Sequence, residues 1–189
     1  VGHPDVRRML LDMRSITEAM RGICLMNAVA MDGASALSDE DDRQKAEDLN
    51  ELLIPITKAW CTDMGVEVTS LAVQVFGGMG FVEETGVSQF FRDARIAPIY
   101  EGTNGIQAMD LVGRKLPMRA GGVVTDTMAN IRATIDELHG QEELAGIASR
   151  LSESTDALEE ATQGICANSV DLRDVLSGAT PSLRMWGRV

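Results

Sequence analysis

The side chain best suited to chemistry is Glu101, in the run Tyr100-Glu101-Gly102-Thr103. It stands between an aromatic ring and a flexible glycine, in a segment too short and too glycine-rich to form a solvated helix face. A carboxylate at such a bend is a candidate general base, and we expect it to be partly shielded from water. The same residues are compatible with an ordinary surface glutamate, so the local sequence leaves both interpretations open.

A second candidate is the pair Gly77-Gly78, which follows a helical pattern and not a strand. This position excludes the strand–turn–helix motif of dinucleotide-binding proteins. A helix C-terminal turn explains the glycines without a ligand. Their amides could also contact a pyrophosphate or a ribose, because glycine leaves the backbone open to close approach. For the nearby Arg92 and Asp93, an ion pair that fastens this segment to the helices is favoured over a site pair.

The composition excludes several functional classes. The chain has 189 residues with 17 Lys and Arg against 29 Asp and Glu, a net charge of −12 that argues against binding a nucleic-acid backbone. No run approaches the roughly 20 apolar residues of a membrane span, and no secretory signal is evident. Cys24, Cys61 and Cys166 lack both metal-ligand spacing and an even count. We expect a soluble protein without a metal site, in a bacterial cytoplasm or another reducing compartment.

The elements that must position these residues are helices. Apolar side chains at steps of three and four predict a first helix over about residues 4–31. A loop at Gly33 and an acidic helix start at 38–42 follow. The apolar spacing resumes at Leu49 and predicts a second long helix to Gly77-Gly78, with a kink at Pro55.

The remaining chain consists of three segments with different residue patterns. Residues 79–116 are broken by glycines into short helices and tight loops, and residues 117–122 resemble a linker. A third stripe ends near Gly140, and one or two more helices are predicted to about residue 177. Strand-like alternation is absent. The sequence therefore predicts an all-α, antiparallel helical bundle with a functional loop between its halves.

Three motifs in this order resemble the acyl-CoA dehydrogenases: the segment from Gln74 to Phe81, Phe91-Arg92-Asp93, and the segment from Ile99 to Gln107. Residues 1–116 are similar to the family's C-terminal helical domain. Residues 123–189 resemble the additional helical extension of a larger subgroup, which includes dehydrogenases acting on methylthiopropanoyl-CoA. These enzymes bind FAD and remove two hydrogens across the Cα–Cβ bond of an acyl-CoA thioester.

The resemblance implies a role for Glu101 as the catalytic base. It would take the α-proton while the β-hydrogen passes as hydride to flavin N5. Its own N–H would be one of two donors to the thioester oxygen, the other being a flavin ribityl hydroxyl. Tyr100 and Gly102 match positions of the substrate wall. Arg114 would contact CoA in place of the basic residue that relatives often have at the position of Gly113.

The resemblance also implies cofactor contacts. Gln74, Gly77 and Gly78 match positions that contact the FAD of a neighbouring subunit, so the site would form across a dimer interface. Thr103 matches a flavin-side contact. Gly105 stands at another flavin-side position, where many relatives have a polar residue.

The implied partners are an acyl-CoA substrate, an electron-transfer flavoprotein as acceptor, and further copies of the chain in a homodimer or homotetramer. The family's N-terminal helical domain and middle β-domain are absent from these residues, so we expect a fragment that is inactive alone, with FAD bound in the longer parent. Two alternatives remain open. An acyl-CoA oxidase would pass electrons to oxygen and release hydrogen peroxide, and a helical oligomerisation module would bind no flavin.

Overall fold

The computed structural model of the chain describes residues 2–167 and 172–189. These residues form eight α-helices and no strand: α1 (Pro4–Ala36), α2 (Glu40–Phe76), α3 (Gly78–Phe81), α4 (Val87–Ala94), α5 (Asn104–Asp110), α6 (Gly122–His139), α7 (Ala145–Ala167) and α8 (Leu172–Trp186). Short 3₁₀ turns occur at Glu83–Thr85, Met118–Gly121 and Glu142–Leu144, and a π-helical turn at Leu111–Lys115. The all-α prediction is confirmed.

Helices α1 and α2 pack along each other as a long hairpin that carries the rest of the molecule. The predicted loop at Gly33 is wrong, because α1 continues through it to Ala36. A Cβ atom at Gly33 would lie only 3.1 Å from the Cβ of Ala46 on α2. This glycine therefore lets two helices approach closely, and α1 ends at Ala36, with Leu37 as its C-cap.

The acidic run starts α2, as the sequence indicates, and it does so at Glu40, well before Leu49. The Asp39 side chain caps the helix by accepting a hydrogen bond from the Asp42 N–H at 3.0 Å. Acidic side chains in this first turn interact favourably with the positive end of the helix dipole. The helix then runs without interruption through the buried Pro55 to Phe76.

A structured turn occupies the segment predicted as a linker. Arg119 and Ala120 both adopt left-handed backbone angles, with φ of 49° and 55°. The Arg119 guanidinium lies 2.9 Å from the carboxylate of the buried Asp48 and also pairs with Asp126. These contacts on both sides fix the direction in which α6 leaves the turn.

Helix α8 completes the core and extends to Trp186, beyond the predicted end near residue 177. Its apolar stripe outlasts Gly178 and Pro181, because tertiary packing outweighs intrinsic helix propensity. One hydrophobic core joins the segments on both sides of residues 117–122. Its largest buried members are Leu52, Ile56, Trp60, Met64, Leu111, Leu116, Met128, Leu158, Leu183 and Trp186.

Candidate active-site loop

The chain between α4 and α5 forms a closed loop that presents Glu101. The Asn104 N–H donates to the Pro98 carbonyl at 3.0 Å, and the Tyr100 N–H donates to the Ile96 carbonyl at 3.2 Å. Glu101 and Gly102 follow with φ of 52° and 81°. A non-glycine residue in this left-handed region is uncommon and often marks a functional site.

Helix α2 anchors the loop through Lys58 and Asn104. The Lys58 ammonium donates to the Gly102 carbonyl at 2.7 Å and to Oδ1 of Asn104 at 2.9 Å. The Asn104 side-chain amide donates to the Ala59 carbonyl at 2.9 Å and to the Thr62 hydroxyl at 2.9 Å. Both side chains are half-buried, so these bonds hold the loop against the helix.

Asp63 extends this network to the C-terminal helix. Its Oδ1 accepts a further bond from the Asn104 amide at 2.8 Å, and its Oδ2 lies 3.7 Å from the Arg184 guanidinium of α8. A cleft of about 350 Å³ opens here beside the loop. Its charged and polar lining comprises Asp63, Glu67, Arg95, Thr103, Asn104 and Arg184. The predicted flavin-side positions Thr103 and Gly105 therefore border a cleft.

The Glu101 side chain is exposed, so the expectation of partial shielding is wrong for this chain. The reason is that the loop's packing contacts are made by Asn104 and the Gly102 carbonyl, which leaves the carboxylate on the outer side of the bend. Among the described residues, none accepts a hydrogen bond from the Glu101 N–H. A free carboxylate and a free N–H thus belong to the same residue of a fixed bend.

The other predicted loop residues have simple surroundings. Tyr100 is 51% exposed. Thr103 precedes the first turn of α5, where its carbonyl accepts the N–H of Ile106 at 2.8 Å. Gly105 lies in that first turn and is exposed. On this side of the bundle, a ligand can therefore reach the Tyr100 ring, the Thr103 hydroxyl and the backbone of Gly105.

Gln74, Gly77 and Gly78 are exposed where α2 ends and α3 begins. No hydrogen bond or ion pair of the described residues joins them to the Glu101 loop. Thr62, which contacts Asn104, and Gln74 both lie on α2, which rises about 1.5 Å per residue, so roughly 18 Å of helix separates the anchor of the loop from the glycine turn. They form two distinct surfaces of the molecule.

The turn after α2 is shaped by glycine. Gly77 adopts a φ of 62° with a ψ of −145°, a conformation open essentially to glycine alone. A Cβ atom at the buried Gly80 would lie 2.3 Å from the Val73 carbonyl oxygen, so α3 folds tightly against the end of α2. The exposed apolar side chains of Phe76, Met79 and Phe81 surround this turn.

Arg114 lies in the π-helical turn after α5 and forms an ion pair with Asp110. The hydrogen bond to that carboxylate raises the pKa of Arg114. The guanidinium is 73% exposed and can reach a ligand at the surface. Lys115, the next residue, is instead buried and pairs with Glu51 of α2.

The interpretation of Arg92 and Asp93 as an ion pair that holds the segment to the bundle is wrong. Arg92 bonds Ser88 and Gln89 of its own helix and lies 3.5 Å from Glu83. Asp93 accepts a bond from the Gln89 amide. The pattern is local because residues three and four positions apart are neighbours on the surface of a helix.

The described residues contain neither a cluster of metal ligands nor a helix that could span a membrane. Across residues 2–167 and 172–189, no three His, Cys, Asp or Glu side chains cluster closely enough to hold a metal ion. Within the same ranges, no helix combines the length and the apolar character that crossing a membrane requires.

Sequence reasoning missed Lys58, Asp63 and Asn104. A lysine within the otherwise apolar stretch of residues 52–60 was a usable signal, since a buried helix face rarely includes a charge without a partner. The partner itself was not evident, because Lys58 and Asn104 are 46 positions apart in the chain.

These features define a class of protein. Residues 1–116 match the family model described as "Acyl-CoA dehydrogenase, C-terminal domain". The match covers more than half of the chain, which therefore belongs to the acyl-CoA dehydrogenase family. The resemblance drawn from the three motifs is confirmed.

The relatives are named dehydrogenases of acyl-CoA esters. The 3-methylmercaptopropionyl-CoA dehydrogenase of Ruegeria pomeroyi is 44% identical over 192 residues, covering 100% of this chain and 32% of the relative. A butyryl-CoA dehydrogenase of Syntrophomonas wolfei is 37% identical over 131 residues, covering 69% of this chain and 22% of the relative.

A solved structure has the same fold. Caenorhabditis elegans ACDH-11 in complex with C11-CoA matches with a TM-score of 0.73 at 20% identity, covering 98% of this chain and 32% of that one. The chain thus spans about a third of the length of ACDH-11 and of the Ruegeria enzyme.

Proposed function

We propose that the protein containing this chain is an FAD-dependent acyl-CoA dehydrogenase, in which Glu101 removes the α-proton of the thioester. The observation that carries the proposal is the geometry of Glu101 itself. Its carboxylate is exposed on a bend with two consecutive left-handed residues, and Lys58 of α2 bonds that bend through the Gly102 carbonyl. A base needs a defined backbone position and access to the substrate, and the fixed bend and the exposure of Glu101 support this role.

The backbone of the same residue supports substrate activation. A thioester α-proton is too weakly acidic for a carboxylate to remove without help. The N–H of Glu101 has no partner among the described residues, so it is free to donate a hydrogen bond to the thioester oxygen. Such a donor stabilises the negative charge that develops on this oxygen as the proton leaves. Tyr100 and Gly102 would then flank the bound acyl group.

The open backbone at Gly77 and Gly78 supports the proposed contacts with FAD. At Gly77 and Gly78, no atom lies within 4 Å of the place where a Cβ would stand, so the backbone is open to a ligand. When bound, FAD accepts the β-hydrogen as hydride at N5. Gln74, Gly77 and Gly78 would contact its polar groups, and Thr103 and Gly105 would lie on its side of the loop.

A complete site then requires two copies of the chain. The anchor of the Glu101 loop and the glycine turn are roughly 18 Å apart along α2, and this separation supports the proposal that the turn contacts the flavin of a neighbouring subunit. We infer a homodimer or a dimer of dimers, with acyl-CoA as substrate and Arg114 contacting CoA. An electron-transfer flavoprotein is the proposed acceptor.

Reduction of the bound flavin by substrate tests the proposal. In the flavin-bound protein that includes this chain, butyryl-CoA or 3-methylmercaptopropionyl-CoA should bleach the flavin absorbance. Glu101→Gln should lower the bleaching rate at least about 100-fold while FAD stays bound, because a positioned base contributes about 10²- to 10⁴-fold. Glu84→Gln, at an exposed glutamate of the neighbouring 3₁₀ turn, is the matched control and should react at the wild-type rate.

Bleaching by Glu101→Gln at the wild-type rate would overturn the assignment of the base. Release of one hydrogen peroxide per turnover would favour the oxidase alternative over the dehydrogenase. If the protein binds no flavin at all, the proposal is wrong and the helical oligomerisation module is the interpretation that remains.

A further inference from the structure

We propose that Lys58 is a positioning residue, which fixes the bend at Glu101 by holding the Gly102 carbonyl; the inference rests on the proposed role of Glu101 as base. The Lys58 ammonium donates to the Gly102 carbonyl at 2.7 Å and to Asn104 Oδ1 at 2.9 Å. Lys58 therefore bonds the loop at Gly102 and at Asn104, the residues on either side of Thr103.

The side chain acts from a rigid platform. Lys58 is followed on α2 by Ala59 and Trp60, which are 0% and 5% exposed and belong to the main core. Its own side chain is half-buried; its bond to Asn104 Oδ1 is partly buried, and its bond to the Gly102 carbonyl lies at the surface. The backbone from which the ammonium extends is thereby fixed by the core.

The held atom controls the direction of Glu101. The Gly102 carbonyl is oriented by the backbone angles of the bend, and Glu101 stands there with a φ of 52°. A non-glycine residue prefers to leave this region, so a contact outside the bend must keep it in place. A charge-assisted hydrogen bond to the next carbonyl is such a contact.

Asn104 attaches the loop to α2 independently of Lys58. Its amide donates to Ala59, Thr62 and Asp63, so the start of α5 stays bonded to α2 when Lys58 is removed. Within the described residues, Lys58 is the side chain that reaches back to the Gly102 carbonyl. Loss of Lys58 should therefore free the bend while the rest of the loop remains attached.

The test compares Lys58→Met, Lys58→Arg and Lys45→Met in the flavin-bound protein that includes this chain, with butyryl-CoA and 3-methylmercaptopropionyl-CoA as substrates. Lys58→Met should lower kcat about 10- to 100-fold with KM changed less than about twofold, since a misplaced reacting group costs rate before it costs binding. Lys58→Arg retains a donor and should recover most of the loss. Lys45→Met, at an exposed lysine of the same helix, should leave kcat unchanged.

Amide hydrogen exchange gives a second readout that does not depend on activity. In Lys58→Met, the N–H groups of Tyr100 and Asn104, which close the loop by donating to the Ile96 and Pro98 carbonyls, should exchange faster, while the amides inside α2 and α5 keep their protection. If Lys58→Met fails to fold, Lys58→Leu, which also lacks a donor, serves in its place. An unchanged kcat, or a loss that Lys58→Arg does not recover, would overturn the inference.

The failure of this inference is distinguishable from that of the proposed function. If Glu101→Gln keeps the wild-type rate, Glu101 is not the base and the proposed function fails whatever Lys58 does. If Glu101→Gln abolishes the reaction and Lys58→Met does not slow it, only the positioning role is wrong.

Discussion

Asp63 accepts a hydrogen bond from the side-chain amide of Asn104 at 2.8 Å. The other oxygen of this carboxylate lies 3.7 Å from the Arg184 guanidinium. Asp63 thus links α2, the Glu101 loop and α8 at one point. Helix α8 lies outside residues 1–116, which match the family model, and it nevertheless contributes to the surroundings of the loop.

Asn104→Ala should destabilise the protein through the loss of this contact. In a half-buried position, the two N–H groups of the side-chain amide are shared among three acceptors, and their loss removes a donor from the Asp63 carboxylate. We expect the free energy of unfolding to fall by about 1–3 kcal/mol. Urea denaturation followed by circular dichroism measures it. Asn130→Ala, at an exposed asparagine of α6, should change it by less than about 0.5 kcal/mol, and equal effects would contradict the role of Asn104.

Gly102→Ala should strain the bend, in contrast to Gly105→Ala. Gly102 has a φ of 81°, and an added Cβ would lie 3.0 Å from the Gln107 side-chain amide. We expect a loss of about 1–2 kcal/mol in the free energy of unfolding. At Gly105 the nearest atom would be 3.8 Å away and the backbone is helical, so alanine should be neutral or slightly stabilising. Thermal unfolding of the two variants side by side tests this, and a stable Gly102→Ala protein would contradict it.

Leu183→Ala should destabilise the whole molecule and not α8 alone. Leu183 is 2% exposed and shares one core with Leu52, Leu111 and Trp60. Truncating a buried leucine costs about 2–5 kcal/mol. We expect a single unfolding transition at lower denaturant concentration, because α8 packs against α2 and α5.

The control for this prediction is Leu11→Ala, at a residue of α1 that is 67% exposed and should have little effect. Two separate transitions in Leu183→Ala would show that α8 unfolds independently of the helical hairpin.

Alkylation should distinguish Cys61 from Cys24. The two sulfur atoms lie 3.9 Å apart, but Cys24 is exposed and Cys61 is partly buried. Burial, with the nearby Cys24, raises the pKa of the Cys61 thiol from 9.0 to about 12. Since the thiolate is the nucleophile, Cys61 should react slowly with iodoacetamide near neutral pH and faster as the pH rises. Mass spectrometry of peptides after timed quenching measures each rate.

The same pKa gives the sign of a stability effect. The neutral Cys61 thiol is favoured in the folded state, so its contribution is complete below a pH of about 9 and is lost as the pH rises toward about 12. Unfolding in urea should remove the difference in alkylation rate between Cys61 and Cys24. Equal rates in the folded protein would contradict the assigned burial of Cys61.

The sequence by itself determined the all-α class, the start of α2 in the acidic run and the motif that contains Glu101. Each of these depends on residues that are close in the chain. Helical periodicity and capping repeat every three or four residues, and the glycine-rich motif spans fewer than ten. Physical interactions over such short separations leave a pattern that can be read without coordinates.

Only the tertiary structure decided the role of Gly33, the end of α8 and the exposure of Glu101. Glycine is a residue type that favours loops, but Gly33 lies inside α1, where the absence of a side chain lets Ala46 of α2 pack closely against it. The hold of Lys58 on the Gly102 carbonyl joins residues 44 positions apart. Such contacts depend on which helix faces meet in the folded chain, and side-chain periodicity along one helix does not specify its partner.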